Sequence, residues 1–419
     1  MSAGAAPDLP AVSPEFAALT ACLRWPRDPA AVRARAAGID WDRFAVLARR
    51  HRVEGIVAAA IDDAGIAPPA KTALAFTSRR RRIAERNLRL LNETKRLTRI
   101  FAARGIAAAF VKGATLAELA WHDQSFKAAT DVDLVVPPAD VPATIALLRA
   151  EGYRLDTPRV ELTERRVDVL RDVLKEAAFR HDARRVMVDL HWRLTSIRHL
   201  LPEIDPARDI AHVTIDECAI PTLRGGLLLD YLAVHGARHA WGRLKWLADF
   251  NALLAGKSAA EVTAWYRAGV ASGIAPCAGL ALWQSARMFE TPLPPDIADR
   301  IAASRRVRWL AAKSDRMMIG GDELNETPEG PVRAMAYTLL GGFRMGDRPR
   351  YLLACVSHAW VAPRDAMALP LPRALRPLYL LISPVMRLGR GVGKLGRALV
   401  AKKGFARTAA GPIRAGQEN

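Results

Sequence analysis

Asp131-Val132-Asp133 is the tripeptide of this sequence best suited to chemistry. In a strand, side chains at i and i+2 leave from one face, so both carboxylates point to the same side. Two like charges held that close are costly unless a cation shares them, and a hard divalent ion such as Mg²⁺ prefers carboxylate oxygen. By itself a DxD is more readily the end of a solvent-facing strand, but two further features accompany it. Upstream, the apolar run Ile106–Val111 leads into Lys112-Gly113-Ala114 and then a helical pattern over Ala114–Trp121. A glycine at a strand-to-helix turn lets phosphate approach the backbone, and the helix N-terminus offers N–H donors. Downstream, Asp189 sits inside the apolar run Val186–Trp192, where an acid is costly unless it is paired or binds metal. His191 shares its face of that strand and reads either as a neighbour of the carboxylates or as a structural residue.

The elements that carry these residues follow from periodicity. Residues 1–104 read as a helical region: one helix over Asp42–Ile61, then, after Pro69, a long helix with Ile83, Leu90 and Leu97 seven apart, ended by Gly105. The run Arg79–Arg82 falls on it as a solvated face. Residues 105–222 switch to strands and helices in the order β-α-β-α-β-β. The strands are Ile106–Val111, Asp131–Val136, Ala177–Arg180 and Val186–Trp192, and the helices Ala114–Trp121 and Val141–Ala150. The turn His181–Arg184 is short enough for an antiparallel hairpin. Residues 223–319 return to helix over Leu227–His239, Leu244–Leu254, Glu261–Ala268, Ala278–Phe289 and Ile297–Lys313. A linker with further helices fills 320–370, and 371–419 is a basic tail. The fold class is α+β, a small mixed-sheet domain embedded between helical regions.

With 419 residues, 51% apolar and 25% charged, the chain can bury a large core, which excludes a wholly disordered protein and a collagen-like one. Four widely spaced cysteines form no CxxC pair, which excludes a disulfide framework and a zinc knuckle. The N-terminal residues lack a signal-peptide pattern and no apolar run approaches a membrane span, so a cytoplasmic location is expected. Net charge is +19, and residues 371–419 hold ten bases against one acid, Glu418. Within them the apolar stretch Leu378–Met386 is flanked by Arg373, Arg376, Arg387 and Arg390. That pattern suits peripheral contact with an anionic membrane surface, or docking on the protein's own body. No strong DNA-binding motif and no single-strand stacking stripe is present. Gly391–Gly396 satisfies GxGxxG, but no strand precedes it and no ribose-binding acid follows.

The runs FVKGATLAELAW, ATDVDLVVP, EGY and VMVDLHWRL, in this order, resemble the bacterial uncharacterised nucleotidyltransferase family of the DNA polymerase β-like superfamily. The stretch LLLDYLAVHGARHAWGRLKWLADFNALL resembles the segment after the catalytic domain in that family, and the likeness covers roughly residues 40–300. It implies a polymerase β-like fold in which Asp131, Asp133 and Asp189 hold two Mg²⁺ ions and Gly113 matches the phosphate-turn glycine. The superfamily's usual serine after that glycine is absent, which leaves Lys112, with Thr115 one place further on, as phosphate ligands. Lys127 stands where members carry an arginine before the DxD, keeping the charge without the bidentate fork.

The implied chemistry moves a nucleoside monophosphate from a nucleoside triphosphate, ATP among them, to a hydroxyl of a small molecule, sugar, lipid-linked compound or peptide. Two other readings stay open: transfer onto protein or RNA, and a degenerate fold that binds nucleotide or a partner as a regulator. His235 and His239, four apart on one helix face with Asp249 on the next helix, read either as a zinc pair lacking a third ligand or as packing with Trp241 and Trp246.

Overall fold

A computed structural model describes residues 11–320 and 330–388. Five strands form one mixed sheet: β1 (Ala109–Phe110), β2 (Val132–Val135), β3 (Arg154–Thr157), β4 (Glu176–His181) and β5 (Val186–His191), in the order β1-β2-β5-β4-β3. β2 and β5 run parallel, and the other neighbours are antiparallel. Alternation sets the faces: Val132, Leu134, Val188, Leu190, Ala177 and Phe179 are buried on one side, so the residues between them are presented on the other. β6 (Ile210–Ile215) and β7 (Cys218–Leu223) form a separate hairpin.

Five helices matter for the site: α1 (Ala70–Ala103), α2 (Ala114–Trp121), α3 (Val141–Ala150), α4 (Gly225–Arg238) and α5 (Leu244–Ala255). Ile83, Leu90, Leu97 and Phe101 of α1 are buried, as the seven-residue spacing requires. Three arginines of its run are paired: Arg79 with the buried Glu54 (2.9 Å), and at the surface Arg80 with Asp62 (3.0 Å) and Arg81 with Glu85 (2.9 Å).

Several elements differ from the sequence reading. The helix expected over Asp42–Ile61 is two helices, Trp41–Arg50 and Glu54–Asp63. Arg52 turns left-handed between them at φ +56°, and the buried His51 accepts the backbone N–H of Leu244 at 3.1 Å. Ile297–Lys313 is likewise divided, into Pro295–Ala303 and Arg305–Ile319. Ser304 caps the second helix by accepting the N–H of Val307. β3 and the β6–β7 hairpin were not anticipated. β3 is an edge strand whose four residues are all partly exposed, so no apolar alternation marks it. The β6–β7 turn places Asp216 and Glu217 at φ +45° and +64°, without the glycine or asparagine that usually signals such a turn.

The described chain groups into two compact units. The first runs to Val160 and resumes over Leu174–Cys355; the second joins Glu161–Val173 to the chain from Val356 onward. Within the second, Arg376 pairs with both Asp168 and Asp172 of helix Glu164–Val173. Most of the acidic linker (321–329) and much of the basic tail (389–419), including Gly391–Gly396, lie outside the described residues. Among the described residues no helix is long and apolar enough to cross a membrane.

The α4–α5 junction is tightly built. Ala240 and Trp241 adopt φ +48° and +49°, and the fully buried Trp241 ring lies where a Cβ on Gly236 would approach it to 2.3 Å. Gly236→Ala must therefore displace a core tryptophan. We expect it to lower stability by about 1–3 kcal/mol, read as a reduced urea midpoint at unchanged m-value.

Candidate metal and phosphate site

The open face of the sheet gathers the acids. Asp133 and Asp189 are register partners across β2 and β5, Ala178 lies opposite Asp189 on β4, and Glu176 lies opposite His191. Partners in a ladder share a face, so Asp133, Asp189, His191 and Glu176 project together. Asp131 sits one residue before β2, two residues from Asp133 and on the same side.

Counter-charge at this face is uneven. Lys112 Nζ lies 3.0 Å from Asp133 Oδ1, and His191 Nε2 lies 3.1 Å from the same oxygen. His191 Nδ1 faces Glu176 Oε2 at 2.9 Å, and Lys175 also pairs with Glu176. A histidine between two carboxylates donates from both nitrogens only as the imidazolium. Burial and nearby Lys175 oppose that charge, but the hydrogen bonds to Asp133 and Glu176 raise the His191 pKa. Burial likewise opposes ionisation of Asp133, yet Lys112 and His191 hold its carboxyl well below the usual range. Asp131 and Asp189 have no ion-pair partner among the described residues. Burial, and then the Asp133 charge, pushes Asp131 up. Burial followed by Asp131 and Asp133 pushes Asp189 to about 6.

The donor set fits a hard divalent cation. Asp133, Asp189 and His191 each offer a ligand atom, all within 4.8 Å of one another. Asp131, two residues from Asp133 and on the same side, is not part of this metal-spaced group. Asp131 and Asp189, half-buried and with only the more distant charges of Lys112, Lys245 and His191 to offset their repulsion, are the groups a cation would relieve.

Beside the acids is the turn that leads into α2. Val111 N–H donates to the Asp133 carbonyl at 3.1 Å, which fastens the end of β1 to β2 and puts Lys112 beside the carboxylates. Gly113 caps α2 at φ +60°, ψ −127°, a conformation essentially reserved for glycine. A Cβ placed there would meet nothing closer than the Asp131 carbonyl at 3.8 Å, so the turn is open. Thr115 faces inward: it is fully buried and its hydroxyl donates to the carbonyls of Phe110 (2.8 Å) and Lys112 (3.0 Å). Lys127 is not brought to the acidic face through an ion pair with it. Its ammonium pairs with the buried Asp249, which also accepts Trp121 Nε1–H at 2.9 Å.

Helices α4 and α5 add aromatic and cationic neighbours. Lys112 Nζ lies 5.2 Å from the Tyr231 ring centre. The His235 and His239 rings are 4.6 Å apart, and Trp246 packs 5.4 and 5.1 Å from them. Burial and then nearby cations push both histidines down, His239 to about 4. They form an aromatic cluster and are not part of the metal-spaced group. Burial, followed by Lys127 and Arg52, brings Lys245 down to about 7, with Asp249 offsetting part of the shift.

The sequence reading missed Glu176, Lys175, Tyr231 and Lys245. Glu176 was recoverable: extending the hairpin pairing backward from its short turn aligns residue 176 with residue 191. Nothing local marks Tyr231 or Lys245, because their helices reach the acids only through tertiary packing.

A mixed five-stranded sheet with clustered acids beside a glycine turn defines the class, a nucleotidyltransferase domain. The chain belongs to the family described as uncharacterised nucleotidyltransferase, whose model matches residues 37–290 and so takes in the sheet and α1–α5. A search of curated proteins finds no match.

The repulsion predicts a measurable gain on removing charge. A carboxyl raised from 3.8 to about 6 on folding opposes the native state as pH rises through that range, and fully above it. Asp189→Asn should therefore stabilise the divalent-free protein at neutral pH by about 1–2 kcal/mol in urea denaturation with EDTA. The same substitution should abolish any stabilisation by added Mg²⁺.

Proposed function

We propose that this chain is a Mg²⁺-dependent nucleotidyltransferase that moves a nucleoside monophosphate from a nucleoside triphosphate to a hydroxyl acceptor. The alignment of Asp133 with Asp189 across parallel β2 and β5, with Asp131 two residues away, carries this reading. In it Asp131, Asp133 and Asp189 hold two Mg²⁺ ions, which supply neutralisation of the triphosphate and of the leaving pyrophosphate. The acceptor oxygen forms the new bond to the α-phosphorus, the bond to pyrophosphate breaks, and the hydroxyl proton passes to solvent.

The protein's own groups position this exchange. The open Gly113 turn and the first N–H groups of α2 receive phosphate oxygens, and Lys112 adds a point charge beside them. Thr115 fixes the turn from beneath through its bonds to Phe110 and Lys112. Lys127, expected among the phosphate contacts, has its charge matched by Asp249. The acceptor classes remain a small molecule, sugar, lipid-linked compound, peptide, protein or RNA.

One observation favours a second reading. Asp133 already has two counter-charges, Lys112 and His191, so it is neutralised without a metal. A nucleotide- or partner-binding regulator that does not turn over would keep this arrangement.

Binding separates the two without knowledge of the acceptor. Thermal unfolding is followed with each of the four nucleoside triphosphates, with and without Mg²⁺. A ligand at about 100 times its dissociation constant adds roughly 2.7 kcal/mol. The enzyme reading expects a Mg²⁺-dependent shift that Asp133→Asn removes. A shift that needs no Mg²⁺ and survives Asp133→Asn supports a nucleotide-binding regulator, and no shift with any nucleotide overturns the enzyme reading in favour of a partner-binding regulator. Lys112→Ala should weaken triphosphate binding by about tenfold, the loss of one charge-assisted contact. Unchanged affinity would remove Lys112 from the phosphate site.

A further inference from the structure

The last described helical turns, over 379–388, bury two hydroxyl groups and leave most of their aliphatic side chains exposed. Ser383 is completely buried; its hydroxyl donates to Asp365 Oδ2 at 2.6 Å and accepts the N–H of Ala362 at 2.9 Å. Tyr379 is buried on the same side, its hydroxyl donating to the Leu369 carbonyl (2.7 Å) and accepting the N–H of Leu371 (2.8 Å). The opposite face is apolar and, among the described residues, uncovered. Leu381, Val385 and Leu388 are 70%, 69% and 71% exposed and Leu380 48%. At 100° per residue these four side chains fall within one arc of about 140°.

Water selects the reverse arrangement, with apolar residues inward and polar ones outward. Here Ser383 and Tyr379 anchor the inner face by hydrogen bonds, beside half-buried Ile382 and Met386, while four aliphatic side chains face outward. Trp360, also exposed, continues the patch, and its Nε1–H donates to the Leu380 carbonyl at 2.7 Å. Arg387 donates to the Trp360 carbonyl at 2.9 Å and stands at the border of the patch. An amphipathic tryptophan and an arginine at the edge of an apolar face are features of a membrane–water interface. Charge identifies the surface further. Residues 389–419 add seven Lys or Arg and one acid, Glu418. A second copy docking on this face would bring two such basic segments together, whereas an anionic bilayer complements them.

We propose that the face formed by Leu380, Leu381, Val385 and Leu388 docks on an anionic lipid bilayer. The apolar arc enters the headgroup–acyl boundary, with Arg387 at its border among the headgroups. No described helix is long and apolar enough to cross the bilayer, so the contact is interfacial. It stands whether or not the nucleotide site turns over.

Co-sedimentation of the full chain with vesicles tests this. Vesicles of phosphatidylcholine with phosphatidylglycerol are compared with phosphatidylcholine alone, at low and high salt. Binding to the mixed vesicles should be at least about tenfold tighter and should weaken with salt. The double variant Leu381→Ser/Val385→Ser, which changes two exposed positions and no charge, should lose about tenfold or more in binding. Its circular-dichroism melting curve should match that of the parent chain. Undiminished binding of the double variant would show that charge alone attracts the chain, and would overturn the docking face. No binding of the full chain at low salt would overturn it outright. So would a concentration-dependent dimer, in analytical ultracentrifugation, that the double variant abolishes, since the occupant would then be a second copy.

Discussion

Three carboxylates on one face of a parallel strand pair set the main electrostatic constraint in this molecule. Asp133 and Asp189 are locked in register by the ladder between β2 and β5, and Asp131 follows from the i, i+2 geometry of the DxD. Once Val132, Leu134, Val188 and Leu190 are committed to the buried side, the acids cannot move apart without giving up that core. The surrounding structure offsets the repulsion unevenly. Lys112 and His191 serve Asp133, while Asp131 and Asp189 carry residual strain.

The same burial acts on every ionisable group around the face, in the sense its charge dictates. It raises Asp189 and lowers Lys245, His235 and His239. His235, His239 and Trp246 pack as an aromatic cluster beside these charges, with His239 at its solvent-exposed end. His191 shows the consequence most clearly, because it holds its proton only by donating to two carboxylates at once. Glu176 is thus a positioning group: it sets the orientation and charge of the residue that touches Asp133.

What could be read from the sequence was what local pattern encodes. The DxD, the acid within VMVDLH, the helix over Ala114–Trp121 and the hairpin all depend on residues close in the chain, and all appear in the structure. What could not be read depends on partners far away. The break at His51–Arg52 is supported by a bond to Leu244, 193 residues on. The Lys127 charge is taken by Asp249, 122 residues on. Edge strand β3 and the glycine-free turn of β6–β7 carry no local signature, so periodicity passes over them.

The absence of the superfamily's serine after Gly113 is best understood through Lys112. A serine would offer a hydroxyl at the mouth of the turn; here the residue before the glycine carries an ammonium on a flexible stem. Burial works against that charge, but Asp133 holds it firmly protonated, so Lys112 balances the acids when nothing else does. Thr115 ties the Lys112 carbonyl to the turn, which fixes the backbone while leaving the four-carbon side chain free to change partner. Under the proposed function, a cation shared by the carboxylates would weaken the hold of Asp133 on the ammonium, and phosphate at the adjoining helix N-terminus would then offer that charge a partner. On that reading Lys112 would alternate between carboxylate and phosphate, which a hydroxyl in its place would not do.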